Sequence, residues 1–227
     1  METRAQAKLG VVVIGQSPRA DIEAELRLVL GDTIAIELIG ALDGMSRAEI
    51  GRLTPDGSDD TLFTKLPSGE GVVISKQAVT RGAQAALDRF AAAGTDVTLM
   101  CCTGAFKGLV ARGPVVFPSA VLTSLAAALL PAGRLGVFTP LPAQREQTAR
   151  KWRDRPWQVA VEPLLPIHGP ADLTAAAERM AASKPDLVVM DCMSYTTATK
   201  HAVREITGAR SLLGLSCAAR AVQELLF

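Results

Sequence analysis

Two stretches of this chain share one plan: an apolar run stops at a cysteine. Residues 94–104 read GTDVTLMCCTG and residues 184–194 read KPDLVVMDCMS. Neither run alternates polar with apolar residues, which suits strands covered on both faces. Two further pairs occur in the same order. KLGVVVIGQSPRAD (8–21) resembles RLGVFTPLPAQREQ (134–147), and PVVFPSAVLTSLAAALL (114–130) resembles SLLGLSCAARAVQELLF (211–227). Cys102 and Cys192 stand 90 positions apart, and Ser119 and Ser216 stand 97 apart. Three matches in one order predict two similar halves. The first strands are offset further, so the first half carries extra residues. These fall in the Gly-, Asp- and Ser-rich stretch 43–71, read as a lid or an exposed hairpin.

Comparable apolar runs recur at Leu9–Ile14, Ile34–Ile39, Val72–Ile74, Val97–Met100, Val115–Phe117, Leu135–Phe138, Val159–Val161, Leu187–Met190 and Leu212–Leu215. Between many of them lie stretches such as PRADIEAELRLVL and QAVTRGAQAALDRFAAAG, with apolar residues at helical spacing. Gly94 marks a helix stop before the next strand. This alternation predicts an α/β fold, with parallel sheets and crossover helices.

Composition narrows the function. Hydrophobic residues make up 48% of the chain and aromatics 4%, so the core is aliphatic. A net charge of +1 with scattered Lys and Arg gives no basic stripe, so neither nucleic acid nor a membrane surface is an expected partner. No run approaches about 20 apolar residues, the length of a membrane span. The N-terminal apolar run is too short for a signal peptide. The expected location is cytoplasmic, with the four cysteines reduced. There are two histidines and no C-x-x-C pair, so zinc is not indicated. No glycine-rich phosphate motif occurs, and the expected cofactors are none.

In open parallel sheets, ligands bind beyond the carboxyl ends of the strands. Cys102 and Cys192 stand there, each followed by residues read as a helix start, CTGAF and CMSYTTATKHAV. Backbone N–H groups near Thr103, Gly104, Ser194 and Tyr195 are expected to hold a substrate carboxylate. The same helix ends are expected to lower the thiol pKa from about 8.5 toward neutrality. Two thiols facing one ligand suit stereoinversion: one thiolate removes the proton alpha to a carboxylate, and the other thiol returns one on the opposite face. Strand alternation turns Cys101 away from Cys102. Cys101 and Cys217 therefore read as small buried hydrophobes.

The loops at the same sheet edge supply further candidates. Ser17 reads as a helix N-cap, with Pro18 at the first helical position, and as a hydroxyl for a carboxylate. Arg19 reads as a bidentate carboxylate clamp or a solvated helix residue, and Gln16 as a neighbouring contact. Ser75 and Lys76 begin another helix, and Lys76 is a candidate for an acidic substrate or a surface lysine. Thr139 and Gln144 occupy the second-half counterpart of the 16–19 loop. Asp43 reads as a ligand contact or a turn cap. Asp191 could orient the neighbouring thiol, although a carboxylate there raises the thiol pKa.

The stretches GQSPR, GALDGMS, ISK, CCTGAF and DCMSY resemble the AroM family, within the aspartate/glutamate racemase superfamily, and the resemblance covers nearly the whole chain. It implies two pseudo-symmetric α/β lobes with the ligand in the cleft between them, the C-terminal helix crossing back. The first lobe would be 1–116 plus 214–227, the second 117–213. Racemases of this group resemble A-C-N-T at the first cysteine and G-C-T-H-Y at the second. Cys102, Cys192 and Tyr195 match; Thr103, Met193 and Ser194 depart from the Asn, Thr and His of that pattern. Gln16-Ser17 stands where glutamate racemases have Asp-Ser. The implied function is a cofactor-independent racemase or epimerase acting on a small carboxylic or amino acid, in a homodimer. Alternatives are an isomerase or decarboxylase using one thiol, or a non-catalytic protein that binds a small carboxylate.

Overall fold

The computed structural model describes residues 6–227. In the first half the elements are β1 (Lys8–Val13), α1 (Ala20–Leu30), β2 (Ala35–Gly40), the one-turn α2 (Arg47–Ile50), β3 (Thr61–Lys65), β4 (Gly71–Ser75), α3 (Lys76–Ala92), β5 (Val97–Cys101) and β6 (Val115–Val116). The second half runs α4 (Pro118–Leu129), β7 (Gly133–Thr139), α5 (Arg145–Trp152), β8 (Trp157–Pro163), α6 (Pro170–Ala182), β9 (Leu187–Met190), α7 (Thr197–Thr207), β10 (Arg210–Leu213) and α8 (Gly214–Leu226). Two four-stranded sheets result, ordered β2-β1-β5-β6 and β8-β7-β9-β10, with every neighbouring pair parallel. The orders coincide when β1 is laid on β7. The internal repeat of the sequence is thus a repeat of topology.

The apolar runs of β1, β5, β7 and β9 are buried on both faces, as their lack of alternation requires, while those of β2, β8 and β10 are only partly covered. Val11, Val13, Leu99 and Cys101 enter one core cluster; Val12, Ile14, Met100 and Cys102 enter another. At about 1.5–3 kcal/mol for each large aliphatic side chain withdrawn from water, this two-sided burial is what holds a strand such as β1 in register.

Two helices cross between the halves. Helix α8 follows β10, yet Leu215, Ala218, Ala219 and Val222 pack with Leu9, Val11 and Leu26 of the first half. Helix α4 follows β6, yet Leu122 and Ala126 pack with Leu135, Val137 and Val189 of the second. The two helices also touch each other, where Cys217 joins the cluster that holds Leu122.

The 43–71 insertion supplies one strand of a hairpin, one of its two readings, and the strand expected over Val72–Ile74 is present but joins neither parallel sheet. These residues form an antiparallel hairpin, β3 with β4, outside both parallel sheets. It is not exposed along its length: Thr61, Leu62, Phe63 and Thr64 are buried. Val73 is exposed between the buried Val72 and Ile74, but all three are apolar, so the sequence offered no alternation to separate this strand from those of the parallel sheets.

Helix α3 begins as expected at Ser75, whose hydroxyl accepts from the Ala78 N–H at 3.1 Å. It then lies so close to the end of β2 that a β-carbon on Gly82 would fall 1.9 Å from the Ala41 carbonyl oxygen. In an ordinary helix Gly→Ala gains about 1 kcal/mol. Here the added methyl meets backbone, and we expect Gly82→Ala to cost about 2–3 kcal/mol instead. Urea unfolding measures it; a variant as stable as wild type would mean that α3 has room to move away.

Candidate active site

The carboxyl ends of β1, β5, β7 and β9 border one cavity of about 580 Å³. Cys102 enters it directly after β5 and Cys192 two residues after β9. Both residues are buried, at 8% and 7% exposure. Their local bonding is the same. The Cys102 sulfur accepts the Gly104 N–H at 3.3 Å, and the Cys192 sulfur accepts the Ser194 N–H at 3.4 Å. Two equivalent turns therefore deliver two thiols to one space. Cys101 packs on the opposite face of β5 among Leu9 and Val11, as alternation requires, although it also borders the cavity at the sheet end.

The expectation of acidified thiols is corrected. Burial pushes the Cys102 thiol up to about 11, with the Gly104 N–H and the Lys151 ammonium opposing it only in part. Burial pushes Cys192 up to about 12, opposed by the Ser194 N–H and raised further by Cys102 and Asp191. The helix ends invoked from sequence are not there. After Cys102 the chain runs as a loop to β6, and α7 starts only at Thr197, capped by Thr196. Desolvation thus acts without a helix dipole to offset it. The Gly104 and Ser194 N–H groups are spent on sulfur rather than held free for a carboxylate.

Of the residues expected to bind substrate, Arg19, Lys76, Thr103, Gly104, Thr139 and Ser194 line the cavity. Arg19 is 4% exposed and already clamps a carboxylate, that of Asp21, with Nε and Nη2 at 2.8 Å. Its Nη1 donates to the Lys65 carbonyl at 3.1 Å, and Nη2 also donates to the Ser194 hydroxyl at 3.3 Å. Burial opposes ionisation of Asp21, but the bonds from Arg19 and Lys65 outweigh it and hold the carboxyl well below its ordinary range. The Thr148 hydroxyl donates to that of Thr139 at 3.1 Å, and both are buried. Gln144 donates to the Thr61 carbonyl at 3.0 Å and so fastens the hairpin to the second half.

Three expected contacts lie elsewhere. Gln16 donates to the carbonyls of Leu42 and Met45 at 3.1 and 2.8 Å. Ser17 is not the N-cap of α1; that position is Arg19. Its hydroxyl and amide instead donate to the two oxygens of Asp43, each at 2.7 Å, and the Gly40 N–H adds a third donor at 2.8 Å. Asp43 is therefore a turn anchor that has taken Ser17 with it. Tyr195 is 1% exposed, and its hydroxyl donates to the Leu164 carbonyl at 2.5 Å, facing the core of the second half. Gln16 and Tyr195 satisfy backbone carbonyls and Ser17 a turn carboxylate before any ligand arrives.

A profile of AroM proteins matches residues 9–226. The chain belongs to the AroM family. A search among curated proteins finds no match. Among solved structures, the AroM chain is similar to a maleate isomerase from Pseudomonas putida, with a TM-score of 0.64 and 13% identity over 97% of this chain and 92% of the other. It is similar to an allantoin racemase from Pseudomonas fluorescens (TM-score 0.61, 16% identity, 96% and 90% covered). It is also similar to a glutamate racemase from Francisella tularensis solved with D-glutamate (TM-score 0.57, 15% identity, 98% and 81% covered). At these identities the likeness is one of fold alone. No helix among the described residues of the AroM chain is long and apolar enough to cross a membrane.

Sequence reasoning missed the inner face of α5. Thr148 and Lys151 line the AroM cavity along with Gln144. These three stand at i, i+4 and i+7, one stripe of a helix. Following that stripe onward from Gln144 would have reached Lys151. Its ammonium donates to both oxygens of Asp191 and to the Thr103 carbonyl, each at 2.9 Å. The Trp152 indole N–H donates to the same carboxylate at 2.8 Å.

Proposed function

We propose that this AroM protein is a cofactor-independent enzyme acting at the carbon alpha to a carboxylate, with Cys102 and Cys192 as the acid–base pair of a racemase or epimerase. One observation carries the reading: two buried thiols, held by equivalent N–H bonds, open from the two halves into a single cavity. The fold neighbours include a maleate isomerase and two racemases, so the scaffold is compatible with chemistry at such carbons.

The reaction needs one sulfur as thiolate and the other as thiol. The thiolate takes the proton from the alpha carbon, leaving a carbanion whose charge spreads into the carboxylate. The opposing thiol then gives its proton to the other face. The sulfurs end with exchanged protonation, ready for the reverse stereochemistry. Five basic and three acidic side chains line the cavity, which favours an anionic ligand. The Thr139 and Thr148 hydroxyls and the Lys76 ammonium line it without a carboxylate partner among the described residues, and they are our candidates for holding the substrate acid. Bringing a thiol of pKa about 11 to its thiolate at pH 7 costs about 5 kcal/mol. Catalysis should therefore quicken with pH, by about tenfold per unit between 7 and 9.

The test is incubation with a panel of small carboxylic and amino acids in deuterated water, read by mass spectrometry and chiral chromatography. We expect deuterium at the alpha carbon of one acid, accompanied by inversion. A ligand that binds but shows no exchange across that pH range would turn the reading to a non-catalytic binding protein.

A further inference from the structure

We propose that Lys151 and Asp191 form a positioning pair that bolts the two thiol loops together and makes Cys102, rather than Cys192, the proton acceptor in the resting enzyme. The inference deepens the two-thiol reading above and rests on it.

Geometry supplies the first part. Thr103 follows Cys102, and Asp191 precedes Cys192. The Thr103 hydroxyl donates to the Asp191 carbonyl at 2.9 Å, while the Lys151 ammonium joins the Thr103 carbonyl to the Asp191 carboxylate. Two routes of hydrogen bonds thus link the neighbours of the two sulfurs. The cluster is nearly dry: the side chains of Lys151 and Asp191 are 19% and 4% exposed, and the Trp152 N–H completes the carboxylate. A charged pair at such burial is costly to assemble, and its members are strongly held once it is made.

Charge supplies the second part. Facing Cys102 are the ammonium groups of Lys151 on α5 and Lys76 on α3, with Asp191 opposing them. Facing Cys192 are the Cys102 sulfur and the Asp191 carboxylate, with Arg19 opposing them. Two cations thus favour a thiolate at Cys102. Cys192 has one cation nearby, Arg19; Arg19 and Lys151 are each paired with a carboxylate, whereas Lys76 makes no ion pair among the described residues.

The test needs no substrate, so its outcome is separable from the exchange experiment. Wild type, Lys151→Met, Lys151→Arg and Asp191→Asn are alkylated in short pulses with iodoacetamide from pH 7 to 12.5, and Cys102 and Cys192 are followed separately by peptide mass spectrometry. In wild type the rate at Cys102 should exceed that at Cys192 at every pH below its midpoint. Lys151→Met should raise the Cys102 midpoint by about one unit, a roughly tenfold slower reaction at pH 8, and Lys151→Arg should restore it. Asp191→Asn should lower both midpoints. Merely loosening the loops would speed alkylation at all pH values and move no midpoint. Unmoved midpoints, or shifts of the same sign in Lys151→Met and Asp191→Asn, would overturn the proposal. If Lys151→Met does not fold, Asp191→Asn decides alone, because it keeps the size of the side chain and one acceptor oxygen for Lys151.

Discussion

Alanine at either Cys102 or Cys192 should reduce stereoinversion by a factor of about 10²–10⁴, the usual contribution of a placed acid or base. Both side chains are small and buried, and each accepts one backbone N–H, so the fold should survive with a modest loss of stability. The informative measurement is deuterium exchange beside inversion. With Cys192 removed, Cys102 can still take a proton from the enantiomer that faces it and return deuterium to the same side. Cys192→Ala should then label one enantiomer without inverting it, and Cys102→Ala should label only the other. A one-thiol isomerase or decarboxylase predicts a lopsided result, with turnover lost at one cysteine and kept at the other. The unequal charges around the two sulfurs favour Cys102 as the essential one in that case. Full inversion in both variants would remove the thiols from the chemistry.

Trp152→Ala should be the most destabilising single change away from the thiols. The side chain is 1% exposed and lies with its ring centre 6.0 Å from that of Trp157, tilted by 41°. Truncating a buried Trp costs about 3–5 kcal/mol. The indole N–H also serves the Asp191 carboxylate, and a lost bond to a charged group adds about 1.5–3 kcal/mol, not fully additively. We expect a loss of about 5 kcal/mol, comparable with the whole stability of many domains. Trp152→Phe keeps most of the ring and loses the N–H, and should cost about 2 kcal/mol. Denaturant midpoints separate the two terms. An alanine variant within about 1 kcal/mol of wild type would mean that the cluster around Asp191 is not held by this side chain.

The α/β class, the repeat and the meeting of Cys102 with Cys192 in one cavity were legible because they follow from periodicity and spacing. Leu9–Ile14 and Leu187–Met190 are strands because nothing in them alternates, and their equivalent loops share a place in the topology. What escaped was set by partners distant in sequence. Ser17 has the residue type and place of a helix cap, but Asp43 of another loop claims it. Tyr195 sits beside Cys192 in sequence, but the backbone turns its ring to Leu164. Arg19 reaches the cavity, but Asp21 two residues on satisfies it first. The direction of the thiol shift was misjudged because it turns on how much water remains near sulfur. That depends on the hairpin and on α5, and neither was placed by pattern alone.

The exchange of α4 and α8 between the halves has a consequence for how the chain can be divided. Each sheet borrows one of its covering layers from a segment that the other sheet leads into. A polypeptide cut near residue 117 would leave both pieces with an uncovered apolar flank, and neither would stand as an independent unit. Such an arrangement ties the fate of one half to the other: heat or denaturant should dismantle both together in one step, and cleft opening must proceed by bending around two shared struts rather than by parting of separate bodies.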